Sequence, residues 1–580
     1  MDKRLPLSND VMLDRERCII CRRCVRFQDE IAGEKEIEMI QRGWETYIGC
    51  AEGEEFTSIF SGNTIDICPV GALTDRTWRF QARPWELEHH ETTCAKCAVG
   101  CSIHIGSRDN KPLRVIAAEN EQVNDVWICD TGKFHMLDFA KTENRITTPL
   151  IRQDNELTET SWDEALAFIA QRFSEIGNDA DAFGFVGSAS MTNEEAYMMQ
   201  RFARTVIGTN NVDFTERDQA VSTYATDGGT YGLPLNVTTL READVIVTLG
   251  CDLYHHLPIA WLWVAQAVMK NDAKLAAIGV DDPERRMQRH SWKWLPGQNG
   301  GMNRAARALA KSVVDAKGTT DPDAARVRTL EDLCVMAKLD IEEMRDLGKA
   351  LAAAERPVIL CGSGHDNETV APELVSALAE LLNADGWRGV GYCVHHANER
   401  GCFESGLAPG LLPGIKSVKD VPARTAARQL WGANVPETDG LDAQTMLRQA
   451  HSGDLKVLWL VDGTPTVLGN RTNGGLFGAE LVIVQAQTMT ELTALAHVVL
   501  PDQAIAERNG NYTNISGLTQ AIRRTVIPPA SARSSAVVLR ELANLLGVAL
   551  DYVNPQATFA EMEKLCQLSG LAESVENSGN

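Results

Sequence analysis

The chain has 580 residues, of which 44% are hydrophobic and 23% charged, with a net charge of −23. This is ordinary globular composition over a length that exceeds one compact core, so roughly three or four domains are expected. The acidic balance argues against nucleic acid or an anionic membrane surface as the main partner, and no apolar run is long enough to span a bilayer.

The N-terminus, MDKRLPLSND, lacks an apolar signal core, so a cytoplasmic location is expected, with any membrane contact made through partner chains. Nine of the 15 cysteines lie before residue 130, and the other six are scattered singly. Disulfide frameworks belong to small secreted chains, so clustered cysteines here point to metal. In CIICRRC, Cys18, Cys21 and Cys24 have C-x2-C-x2-C spacing, which wraps three thiolates around one cube of iron and sulfide. The fourth ligand of such a set usually comes from a distant cysteine followed by proline, as in Cys68-Pro69. Zinc is the alternative, but structural zinc sites favour two paired C-x2-C knuckles over three cysteines in tandem. Arg15, Arg17, Arg22, Arg23 and Arg26 crowd this loop, as expected around an anionic cluster, although a solvated basic face would look the same. Cys50 has no partner motif and reads as a buried thiol.

A second set follows in TTCAKCAVGCSI, with Cys94, Cys97 and Cys101, and is completed by Cys129 in VWICDTGK beyond the strand-like LRVIAAEN. It also fits a 4Fe–4S cluster, with zinc again the alternative. Neither set brings a nucleophile–base pair, a glycine-rich phosphate loop or paired carboxylates, so no catalytic residue is assigned. Two 4Fe–4S domains are expected, over residues 1–88 and 89–150.

From about residue 145 the texture becomes α/β. Candidate strands start at Asp181, Asp244, Lys274, Pro357, Lys456 and Glu480, and SWDEALAFIAQRF and NRAARALAKSVVDA read as helices. Strands apolar on both faces imply parallel sheets covered by helices. Two such domains are expected, over 151–340 and 341–570, with a frayed tail at 571–580. Leu257–Met269, thirteen residues interrupted by Pro258 and Gln266, reads as a buried core segment. GSGHDN and LPGQNGG are weak ligand-loop signals, and His255-His256 reads as packing rather than a metal pair.

These residues resemble the large iron–sulfur subunit of NADH:quinone oxidoreductase, respiratory complex I. The resemblance runs from DRERCIICRRCVRF through FSGNTIDICPVGALTDR and the second quartet into ENRITTPLIR. NEEAYMMQRFARTVIGTNNVD and AHVVLPDQAIAERNGNYTNISGLTQ are similar to the molybdopterin oxidoreductase superfamily, whose body that subunit shares. The resemblance implies two 4Fe–4S clusters, on Cys18, Cys21, Cys24 and Cys68 and on Cys94, Cys97, Cys101 and Cys129. The first would be a link in the main electron wire, the second a cluster of some bacterial members lying off it. It also implies a peripheral-arm setting on the cytoplasmic face of the inner membrane. The partners would be an NADH/flavin subunit and iron–sulfur subunits leading to quinone. In the family a 2Fe–2S domain and a His-plus-three-cysteine segment come first; this chain opens on the third motif, so another chain or a longer gene product would supply them.

A molybdopterin-dependent, formate dehydrogenase-like catalyst is the alternative function. Against it, Gln219 falls at the family's metal-ligand position, and Thr131 stands where catalytic relatives place a pterin-facing lysine. The C-terminal motif keeps Glu507, Gly510, Asn514 and Gln520 but has Ser516 and Leu518 where charged residues are common. A neutral amide replaces a thiolate poorly on such a metal, so no molybdopterin is expected.

Overall fold

The six apolar runs all form strands: Phe183–Gly187, Val245–Leu249, Lys274–Ile278, Pro357–Cys361, Val457–Val461 and Leu481–Ala486. They pair in parallel, and nearly every residue in them is buried, as strands without a polar face require. The structure is a computed structural model describing residues 3–568 apart from 178, 281, 297–300, 320–327, 363–367, 385, 462–477 and 530–531. Most of GSGHDN and LPGQNGG, and the polar tail, lie outside the described residues.

Two compact units interleave along the chain. One comprises Met1–Leu137, Asp218–His395 and Ile515–Leu518; the other comprises Asp138–Arg217, His396–Asn514 and Thr519–Asn580. Each contains a sheet that draws strands from both sides of residue 340.

In the first unit the described residues form a five-stranded parallel sheet. Its order is Lys293–Leu295, Lys274–Ile278, Val245–Leu249, Pro357–Cys361, Val390–Tyr392. The thirteen-residue apolar run lies in the helix Pro258–Asn271, which starts on proline and buries Trp261 and Trp263; a helix apolar on every side must be enclosed. Trp263 Nε1 donates to the Val123 carbonyl at 3.0 Å, anchoring the second cysteine segment to this helix. Two small antiparallel sheets carry the cysteines. Val11–Asp14 lies between Arg4–Pro6 and Leu73–Asp75, and Glu88–Thr93, Ser102–Arg108 and Lys111–Ala117 make the other. The hairpin between the last two strands turns on Asp109 and Asn110, both at positive φ, the left-handed pair that a two-residue turn demands.

The second unit holds a seven-stranded sheet. The parallel strands Val498–Pro501, Leu481–Ala486, Val457–Val461, Phe183–Gly187 and Val212–Phe214 are edged by the antiparallel hairpin Leu150–Gln153/Glu156–Glu159. The helix Trp162–Ile176 opens on a reciprocal cap. Ser161 accepts from the Glu164 N–H, and the Glu164 carboxylate accepts from the Ser161 N–H. In the NNVD stretch, Asn210 Oδ1 accepts from the fully buried Arg204, whose guanidinium also donates to the carbonyls of Gly406, Ala408 and Leu411. Burial pushes that arginine's pKa down to about 9. Among the described residues no helix is long and apolar enough to cross a membrane.

Candidate metal centres

A loop that must aim three sulfurs at one point cannot keep ordinary backbone. Ile20 and Arg22 alternate with the cysteines at φ of 56° and 64°, a left-handed conformation that is rare for a β-branched residue. Arg22 precedes the short helix Arg23–Phe27, whose first turn carries Cys24. Cys68 follows the helix Asn63–Ile67 in extended backbone. All four sulfur-bearing residues, Cys18, Cys21, Cys24 and Cys68, line one cavity with Leu13, Ile48 and Leu73. The site rests on a small core that includes Val11, Val25, Phe56 and Phe134, so packed apolar side chains support an open rim. Cys21 is exposed, the other three are half-buried, and the flanking Ile19 and Val70 stand in solvent. Burial, and then the neighbouring sulfurs, push the Cys24 thiol up to about 11.

Of the five arginines expected around this loop, Arg22 and Arg23 line the cavity. The others turn elsewhere: Arg15 stacks on Tyr47, Arg17 pairs with Asp14 at 3.3 Å, and Arg26 pairs with Glu30 at 3.1 Å. Cys50 packs against the same core without lining the cavity.

The second quartet lies in different surroundings. Cys94, Cys101 and Cys129 are buried, and the Cys94 N–H donates to the Cys101 carbonyl at 2.8 Å, closing the loop. Cys129 caps the helix Asp130–His135, its sulfur accepting from the Gly132 N–H at 3.4 Å. A Cβ on Gly132 would lie 3.2 Å from Cys94 Sγ, so glycine lets the two sulfur-bearing segments approach. Burial first, then one another's charge, raise the thiols of Cys97, Cys101 and Cys129, that of Cys97 to about 12. Backbone N–H groups of Lys96, Val99, Gly100 and Gly132 oppose the rise by donating to sulfur. Thiolates in such a place need a compensating positive charge, which the iron of a cluster would supply. Among the described residues no three His, Cys, Asp or Glu side chains are grouped to hold a single metal ion.

The structure adds residues that spacing did not reveal. Asn63 Nδ2 donates to the Ile128 carbonyl at 2.7 Å while its Oδ1 accepts from the Ile128 N–H at 3.1 Å. Asp130 accepts from the Ser61 hydroxyl at 2.5 Å and the Gly62 N–H at 2.7 Å, and burial pushes its pKa up to about 7. Lys133 pairs with Asp66 at 2.5 Å. The segment leading to Cys68 and the one around Cys129 are therefore strapped together by buried and half-buried polar bonds. The only sequence signal was polar SGNTID and CDTGK set beside the candidate ligand cysteines.

Gln219 opens the helix Gln219–Thr226 behind the cap Asp218 and is exposed, as is Thr131. Glu507 is occupied by Arg145 at 2.5 Å. His255 pairs with Asp252 at 2.7 Å, which raises its pKa, and the His256 ring packs 4.4 Å from that of His395.

Three family models match this chain. They are the ferredoxin-like domain of NADH-quinone oxidoreductase subunit 3 over residues 8–74, the molybdopterin oxidoreductase Fe4S4 domain over 87–138, and molybdopterin oxidoreductase over 145–545. Two iron–sulfur domains ahead of an oxidoreductase body define the class. The third match covers well over half of the chain, which belongs to the molybdopterin oxidoreductase family. Within it the chain is 32% identical, over 97% of its length, to an NADH-quinone oxidoreductase subunit of Streptomyces coelicolor. It is 31% identical over 94% to NADH-quinone oxidoreductase subunit 3 of Thermus thermophilus, and 27% over 95% to NADPH-Fe(3+) oxidoreductase subunit alpha of Geobacter sulfurreducens. It spans 66%, 62% and 67% of those three proteins. Acetylene hydratase from Pelobacter acetylenicus shares the fold, with a TM-score of 0.57 at 17% identity, covering 79% of this chain and 69% of that one.

Proposed function

We propose that this chain carries two 4Fe–4S clusters and passes single electrons from an NADH-oxidising flavin subunit towards quinone within a complex-I-type assembly. The first cluster would be held by Cys18, Cys21, Cys24 and Cys68, the second by Cys94, Cys97, Cys101 and Cys129. The carrying observation is that eight cysteines from two motifs gather into two quartets, one of them open to solvent. When bound, such clusters accept and release one electron at a time without forming or breaking a bond. The chain's own residues supply thiolates, N–H donors to sulfur and, at the first quartet, the positive charge of Arg22 and Arg23.

The pterin reading fits the residues poorly. By the family resemblance Gln219, an exposed amide, falls at the position where a thiolate or hydroxyl ligand is needed, and Glu507 is neutralised by Arg145. Catalysis on substrate would then belong to partner chains: an NADH/flavin subunit on one side and iron–sulfur subunits leading to quinone on the other. Membrane contact would come through them, placing the chain in the cytoplasm or on the cytoplasmic face of the inner membrane.

Replacing Cys21 by Ala tests the reading. Turnover from NADH to quinone should be abolished in assembled enzyme while the fold is retained, since this sulfur sits at the surface. Full turnover by assembled Cys21→Ala enzyme, or NADH oxidation by the partner-free chain, would refute it.

A further inference from the structure

Beside the first quartet the chain gathers arginines, and among the described residues two of them, Arg79 and Arg83, have no ion-pair partner, whereas Arg17 pairs with Asp14 and Arg114 with Asp66. Residues 76–83, RTWRFQAR, carry three arginines and no acid in a chain of net charge −23. Arg79 and Arg83, with Arg17, rim a groove of about 660 Å³ that opens against Cys68. The acids in its wall already have partners: Asp66 pairs with Lys133 and with Arg114 of the same wall, Asp75 accepts from Thr77, and Glu86 is held by Arg108 and the Arg83 N–H. Among the described residues Arg79 has no carboxylate partner, and its buried Nε lacks an acceptor. Burial, and then the fields of Arg4 and Arg17, lower its pKa. Like charges collected in this way repel unless an anionic surface faces them.

The groove also holds out aromatic rings. Phe80 is 70% exposed although its backbone sits at φ 67°, a conformation strained for a bulky residue. Trp85, 79% exposed, stands five residues further along the same segment. Arg79 stacks on Phe80 at 4.6 Å and Arg83 lies over Trp85 at 5.9 Å. Arginine and aromatic side chains held together in solvent are the residue types that anchor protein interfaces. A small anion would be met by the groove floor alone; the Phe80 ring in its lining and the Trp85 ring beyond it stand in solvent, where a partner's surface would meet them.

We infer that this groove is the docking face for an acidic one-electron carrier protein, bearing its own iron–sulfur cluster, that exchanges electrons with the first quartet across Cys68 and the exposed Cys21 loop. The inference rests on the reading of that quartet as cluster ligands. One electron leaves the carrier's cluster and one arrives on this chain, with no proton moved and no bond changed. Such encounters are transient and small, below about 1,200 Å² of buried surface, and charge sets their rate more than their affinity.

The test uses the full chain loaded with iron and a reduced acidic 2Fe–2S ferredoxin as probe, with reduction of the first cluster followed by stopped flow. For the wild type, the second-order rate should fall steeply as salt rises from about 20 to 200 mM, as steering between opposite charges requires. Arg79→Glu/Arg83→Glu should lose about tenfold or more at low salt and flatten the salt dependence, while dithionite reduces its cluster normally. Should the double variant fold poorly, Arg83→Glu alone, on an exposed side chain, should show the same direction. Unchanged rates and salt slope in a variant whose cluster dithionite still reduces would overturn the docking face alone. A wild type that ferredoxin cannot reduce would overturn it too. If iron analysis and spectroscopy find no cluster on the first quartet, the proposed function falls with it.

Discussion

The two quartets place the same four-thiol chemistry in opposite settings. Around Cys18, Cys21, Cys24 and Cys68 the rim is open, two arginines line the cavity and apolar side chains stand in solvent. In the second quartet Cys94, Cys101 and Cys129 are enclosed, Cys97 is half-buried, and backbone N–H groups take the place of arginine. Exposure favours exchange with a partner; enclosure favours holding segments together, because metal that ties remote ligands contributes directly to folding. On the proposed reading the pair would separate two uses of a cluster, conduction and staple, within about 130 residues of one chain.

The sharpest way to break this comparison is Cys97→Ala. The proposed cluster would join the Cys94–Cys101 loop to Cys129, so the variant should lose on the order of 5 kcal/mol or more and assemble poorly. Turnover per assembled complex should stay near normal, the reverse of the Cys21→Ala pattern. Full assembly of Cys97→Ala with no electron transfer would put the second cluster on the conducting path.

Asn63→Ala probes the strap between the two centres. It removes both bonds to Ile128 and leaves a buried N–H and C=O unpaired, a loss of about 2–4 kcal/mol. Denaturant unfolding should register that loss, and iron content should fall at both quartets, because the strap joins the segments of Cys68 and Cys129. Iron lost from one quartet alone would show the centres to be independent.

How much of this was legible in the sequence depended on the range of each interaction. The cysteine motifs are local, so CIICRRC and TTCAKCAVGC declare three candidate ligands each within a few residues. The strands were legible because runs such as VIVTL and LVIVQA have no polar face. Their partners were not: Phe183–Gly187 pairs with Val457–Val461, and Val245–Leu249 with Pro357–Cys361, choices that no local pattern encodes. The strap from Asn63 to Ile128 was hidden for the same reason. The arginines near the first quartet were visible as a group, but only geometry separates Arg22 and Arg23 from Arg15, which stacks on Tyr47.

A smaller effect should come from Gly132→Ala. The added Cβ would press on Cys94 Sγ from 3.2 Å, and a slight shift of that segment should cost about 1 kcal/mol. The spectrum of the second cluster should broaden while that of the first stays unchanged. Change in both would mean that the settings are less separate than their surroundings indicate.

The most direct test of conduction and staple as separate uses is the release of iron from the purified full chain under a chelator, with total metals measured on the same sample. The expected result is about eight iron per chain, no molybdenum or tungsten, and two phases of about four iron each: a fast one from the open quartet and a slow one that coincides with unfolding. One cluster's worth of iron, a single phase, or stoichiometric molybdenum would contradict it.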